Sequence, residues 1–146
     1  MLIILLVVSV IGLAISGFSL AHHDSFVSGK FCTIGQTFNC DVVNKGAYST
    51  IGGVPVALIG VIGYALLVIA SALKIRQPND KGLTLFLVAS ALGGLGFSAY
   101  LTSLEAFVLH AWCLLCLTSQ IVILTIFASV AWLWYTEHIT NKVRSV

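Results

Sequence analysis

The chain has 146 residues, enough for one domain, and is 59% hydrophobic but only 8% charged, where ordinary soluble domains carry about 25% charged residues. So few charges cannot clothe a water-soluble surface. A net charge of +2 without a basic face excludes nucleic-acid binding, and the apolar composition excludes disorder.

About 20 apolar residues span a bilayer core as a helix, and four stretches qualify: Leu2 to about Ala21, Val54–Leu73, about Leu83–Leu104, and Trp112–Trp134. None contains Lys, Arg, Asp or Glu. Without strand-like alternation, runs of this kind predict an all-α, integral membrane four-helix bundle, with residues 1–146 as a single membrane domain. In the first span, Ser19-Leu20-Ala21 has the small-x-small look of a signal-peptidase site. No Lys or Arg precedes the run and it is long for a signal core, so a retained helix is expected.

The loop 22–53 follows, holding Cys32 and Cys40. Asn39 is placed to cap a short helix beginning near Cys40, with Gly46 ending it. Gly52-Gly53-Val54-Pro55 marks the entry into the second span, Pro55 being tolerated in a first helical turn. In the third span Gly93, Gly94, Gly96 and Ser98 form a small-residue face, expected to pack tightly on a neighbouring helix. Trp132, Trp134 and Tyr135 fit an aromatic belt at the far end of the fourth span.

Basic residues set the orientation. Lys74, Arg76 and Lys81 between spans two and three, with Lys142 and Arg144 at the end, outnumber Lys30 and Lys45 in the long loop. The positive-inside rule then places both termini in the cytoplasm of a multi-pass cell-membrane protein. The loop 22–53 and the turn around His110 face outward, and with them all four cysteines.

An even number of cysteines outside the cytoplasm reads first as disulfide chemistry. Cys113 and Cys116 form Cys-Leu-Leu-Cys at the start of a helix, where they share a face and unpaired backbone N–H groups lower one thiol's pKa. That favours exchange, while a staple across so short a loop gains little. Cys32 and Cys40 sit in a loop that can swing. One mobile, water-facing pair and one pair fixed at the membrane edge suggest a relay of electrons inward from a soluble protein. The alternative is a structural or metal-handling membrane protein with non-cycling cysteines, in which His22, His23 and His110 join Cys113 and Cys116 as ligands. Their spacing matches no recognised metal motif.

These residues resemble the vitamin K epoxide reductase family in its small stand-alone prokaryotic form. The resemblance covers about Phe31 to Gln120. It is carried by Cys32 and Cys40-Asp41, by Gly53-Val54-Pro55-Val56-Ala57-Leu58-Ile59-Gly60, by Tyr100-Leu101-Thr102 through Glu105, and by His110-Ala111-Trp112-Cys113-Leu114-Leu115-Cys116. It implies a four-helix bundle whose outer loop caps a pocket for a quinone of the ubiquinone or menaquinone type. It implies that Cys32 and Cys40 accept electrons from a separate thioredoxin-fold, DsbA-like partner on the outer side. Cys40 then exchanges with Cys113, and Cys116 stands next to the quinone, so that disulfides are supplied to secreted proteins. The family commonly has Ser or Thr six residues after the second loop cysteine. Here that residue is Gly46, which points to quinone rather than epoxide as the acceptor.

A quinone slot needs apolar walls and a donor or two. Phe97, Tyr100, Phe107 and Trp112 are candidates for its lining. Glu105 and His110, near the same edge, are candidates for handling the protons that accompany quinone reduction.

Overall fold

In lipid every backbone polar group must find its partner inside the protein, which leaves an uninterrupted apolar segment little choice but helix. The computed structural model, which describes residues 1–26, 33–34, 38–46 and 48–144, has four helices long and apolar enough to cross a membrane. They are α1 (Leu2–His23), α3 (Val56–Arg76), α4 (Lys81–Leu104) with a π-helical turn continuing it (Glu105–Leu109), and α5 (Leu114–Arg144). Several hydroxyls inside these helices are satisfied by their own backbone: Ser9 donates to Leu5 O at 2.8 Å and Thr125 to Ile121 O at 2.8 Å.

The connection between α1 and α3 is more structured than its sequence announces. Two antiparallel ribbons flank a short helix, α2 (Cys40–Lys45): β1 (Thr33–Ile34) pairs with β2 (Phe38–Asn39), and β3 (Thr50–Ile51) with β4 (Val54–Pro55). Pairings two residues long leave no periodicity to read. α2 itself follows the expected cap, because the Asn39 side chain accepts from the N–H groups of Asp41 and Val42 at 3.1 and 3.3 Å. Gly46 ends it, and a Cβ there would run into the Val42 carbonyl. Gly52 and Gly53, at φ 60° and 84°, turn β3 into β4 in a conformation that favours glycine. Pro55 caps α3 rather than entering its first turn, because residues 54 and 55 are spent on the ribbon.

The bundle closes where side chains vanish. A Cβ on Gly12 of α1 would collide with the Tyr64 ring of α3, and one on Gly94 of α4 would come 2.9 Å from Ile123 of α5. The core between the helices is built on Leu5, Leu67, Leu87, Ile126 and Val130. Of the small residues predicted to pack tightly on α4, Gly94 packs against Ile123 and Ser98 O is met by Gln120 Nε2 at 3.5 Å, both from α5, whereas a Cβ on Gly93 or Gly96 would meet nothing within 4 Å. Large apolar residues such as Ile3, Leu85 and Ile121 stay exposed, the pattern of a surface that meets lipid.

The end of the bundle remote from the cysteines is tied by charge. Lys74, predicted as a loop charge, is 1% exposed, with Nζ 2.8 Å from Glu137 Oε1 and donating to Asp80 O at 2.8 Å. Thr84 donates to the other Glu137 oxygen at 2.9 Å, so α3, α4 and α5 meet in one network. This anchor carries α5 well past its expected end at Trp134, since the polar residues beyond it fail only the test of hydropathy. Asp80 also caps α4, accepting from Gly82 and Leu83. Lys74→Met strands the carboxylate and should cost ~3 kcal/mol, the low end for a broken buried pair because Glu137 is 25% exposed. Removing both charges in K74M/E137L should recover most of it. Thermal unfolding in detergent checks this, and an unchanged midpoint for K74M would contradict it.

Candidate redox site

α5 begins at Leu114, so Cys113 stands immediately before its first turn and Cys116 within it. Cys40 is the first residue of α2, placed there by the Asn39 cap. The backbone N–H of Asn39 also donates to Trp112 O at 3.1 Å, which ties the start of α2 to the residue before Cys113. The result is a Cys40–Cys113 sulfur separation of 3.2 Å, with neither residue exposed to solvent. A disulfide bond is about 2.05 Å long, so this is a contact poised for exchange. Cys40 carries a disulfide, whereas Cys113 and Cys116 are free thiols. Cys32, the other predicted member of the loop pair, lies outside the described residues.

The last turn of α1 holds α2 in place. Ser19 donates to Asn44 Oδ1 at 3.1 Å, the His23 Nδ1 hydrogen meets the Asn44 carbonyl, and buried His22 lies 3.3 Å from Asp41. None of these was assigned a role from sequence. The available signal was that Asn44 follows Cys40 by four residues and so shares its helical face.

Cys113 is the thiol poised to ionise. Its pKa is held below the ordinary thiol value chiefly by a hydrogen bond from Cys116. Burial opposes the shift, the N–H of Cys116 adds to it, the Glu105 charge opposes it, and the N–H of Leu115 adds again. The lowered thiol pKa expected from a helix start is present, but the backbone amides are its lesser cause.

Glu105 is 2% exposed and its Oε2 accepts from Cys113 N at 3.1 Å. The π-helical turn brings it there, ending at His110 with φ 51°. His110 is itself exposed and is not brought to the thiols.

Beneath Cys116 lies a cavity of about 450 Å³ between α1, α3, α4 and α5, a size ordinary for small-molecule sites. Ser90 and Gly93 leave its volume open, and Phe97 and Gln120 are on its wall. Three other predicted lining residues are elsewhere. Tyr100 lies about a quarter turn round α4 from the cavity-facing residues and is 50% exposed. Phe107 is 80% exposed. Trp112 is half-buried off the cavity, holding α2 through its carbonyl. The walls are mainly apolar, with the Ser119 hydroxyl, bonded to Tyr64 at 2.9 Å, and the Gln120 amide on one side. An apolar slot with a few hydrogen-bonding groups and a thiol at its mouth fits a quinone head group. Among the described residues no three of His, Cys, Asp and Glu converge as metal ligands.

A family model described as the vitamin K epoxide reductase family matches residues 3–131. No curated protein matches the chain.

Because Cys116 is the main cause of the low Cys113 pKa, Cys116→Ala should raise the pH at which Cys113 becomes thiolate. Ultraviolet titration of the thiolate in detergent reads this directly. An unchanged or lower midpoint in the variant would contradict the assignment.

Proposed function

The chain belongs to the vitamin K epoxide reductase family, multi-pass membrane oxidoreductases of thiols, and on that premise we propose that it reoxidises a separate thioredoxin-fold partner and passes the electrons to a quinone. The observation that carries the proposal is the 3.2 Å Cys40–Cys113 contact with Cys116 on the wall of an apolar cavity.

The sulfur chemistry balances in three exchanges. A partner dithiol reduces the disulfide that pairs Cys40 with Cys32, and leaves as a disulfide. The Cys40 thiolate then attacks Cys113 of a Cys113–Cys116 disulfide; the new bond joins Cys40 to Cys113, and Cys116 departs as thiolate. Cys32 next attacks Cys40, restoring the loop disulfide and releasing Cys113. Two electrons now reside on Cys113 and Cys116, which matches a disulfide on Cys40 beside two free thiols. A quinone in the cavity supplies an acceptor for two electrons and two protons. Each exchange needs a thiolate in line with a disulfide; the contact aligns Cys40 with Cys113, and the lowered pKa of Cys113 makes it the better leaving group when Cys32 attacks Cys40.

The charge distribution along the chain supports an orientation with both termini cytoplasmic and the cysteines on the extracytoplasmic side. Disulfides persist there and a secreted partner is within reach. Ubiquinone- and menaquinone-type head groups both match the slot. Gly46 carries no hydroxyl at the end of α2, which favours quinone over epoxide as substrate.

Purified protein should oxidise a reduced thioredoxin-fold protein in the presence of quinone, and Cys116→Ala should abolish quinone reduction. Gly93→Phe adds a ring where a Cβ meets nothing within 4 Å and projects it into the cavity. It should block quinone reduction while leaving thiol exchange between partner and loop intact. Quinol formation measured against partner-thiol loss checks both, and full quinone turnover in either variant would defeat the proposal.

A further inference from the structure

Two buried polar atoms beside the thiols have no part in the relay. Glu105 gives Oε2 to the Cys113 N–H, but its Oε1 bonds to no protein atom among the described residues. The amide nitrogen Nδ2 of Asn44 is in the same condition. One is an acceptor and the other a donor. Leaving such groups unmade costs about 1–3 kcal/mol each, so a buried pair of opposite kind calls for a shared partner.

Both residues line one small cavity of about 30 Å³, distinct from the large one, together with Cys116, Ser49, Tyr48 and His23. That volume suits a single water, and an internal water needs two to four polar partners of the kind these residues offer. The Glu105 carboxylate also interacts with the Cys116 thiol. A carboxylate is thus set between a reacting sulfur on one side and, on the other, a water-sized chamber whose mainly apolar wall carries a few polar groups.

The chemistry at the thiols requires such a group. Forming the Cys113–Cys116 disulfide releases two electrons to the acceptor and two protons from sulfurs buried away from solvent. We propose that Glu105 is the proton-transfer residue of this pair, working through a water held between its free carboxylate oxygen and the Asn44 amide. The Cys116 S–H bond breaks as the Glu105 O–H bond forms. The proton then moves to the water and on towards His23, which restores the carboxylate for the second proton. His23 is suited to the outer end of the path. Its Nδ1 meets the Asn44 carbonyl, an acceptor, so Nδ1 carries a hydrogen, and its ring lines the small cavity. Overall proton balance is kept because the acceptor takes up two protons as it is reduced.

The inference rests on the proposed passage of electrons from the thiols to a quinone. Other titratable groups crowd the same region: Cys113 and Cys116 on α5, Tyr48 in the loop, His22 and His23 on α1, and Asp41 and Lys45 on α2. The variant must therefore remove the Glu105 proton site alone. Glu105→Gln does so, since the amide oxygen still accepts from Cys113 N–H and preserves that structural role.

With quinone present, E105Q should slow oxidation of the thiol pair by roughly a hundredfold, the lower range for a lost general base. The rise in rate with pH that a carboxylate base imposes should vanish with it. Without quinone, time-resolved infrared spectra of the wild-type dithiol undergoing chemical oxidation should show a transient carboxyl protonation band that E105Q lacks. Wild-type rate and pH profile in E105Q overturn the proton-transfer role. So does the absence of a transient carboxyl band in the wild type, an outcome independent of whether the variant folds. Wild-type protein that fails to pass thiol electrons to quinone overturns the underlying function and the proposal with it.

Discussion

Two sulfur atoms held 3.2 Å apart across 73 residues of sequence are the constraint on which the rest of this structure depends. Thiol–disulfide exchange is a displacement, and it proceeds only if the attacking sulfur already stands beside its target. The protein meets this requirement with ordinary parts. Asn39 caps α2 with its side chain and clasps Trp112 with its backbone, so that the residues next to each, Cys40 and Cys113, are brought together. Cys40 belongs to a long connection, and without these ties its conformational freedom would dilute the contact. The last turn of α1 adds a second restraint through Ser19, His22 and His23.

The membrane supplies the other half of the design. With only 8% of residues charged, the charged side chains that bind elements together gather in two places. At one end Lys74, Glu137 and Thr84 bind three helices into a frame. At the other, Glu105 and the thiols share a buried site where local electrostatics act with little screening by solvent. Between the two, small residues divide their labour. Gly12, Gly60 and Gly94 let helices touch, whereas Gly93 and Ser90 leave the volume of the cavity. The same residue type builds both contact and void, according to which helical face carries it.

How much of this was legible in the sequence depends on the range of the interaction. Four apolar runs announced the helices, because burial in lipid is a property of each segment alone. The α2 cap was legible too, since Asn39 acts on residues two and three positions on. Residue type placed Phe97 and Tyr100 together as pocket candidates, but only Phe97 reaches the cavity, because they lie on different faces of α4. Lys74 read as an exposed loop charge, because its partner Glu137 is 63 positions away and no local pattern links them. The π-helical turn that swings Glu105 under Cys113 also lacks a sequence signature of its own. Local rules gave the parts, and the site was illegible wherever two distant segments had to meet.

The account stands or falls on Cys40 and Cys113 being the exchanging pair. In a Cys32→Ala/Cys116→Ala variant both thiols able to resolve it are gone, so a bond between those two sulfurs should accumulate when the reduced protein is mildly reoxidised. Peptide mapping of the non-reduced protein by mass spectrometry is the most direct test. The account predicts a Cys40–Cys113 cross-linked peptide as the major product. Cys40 and Cys113 that both remain free thiols after reoxidation would contradict it.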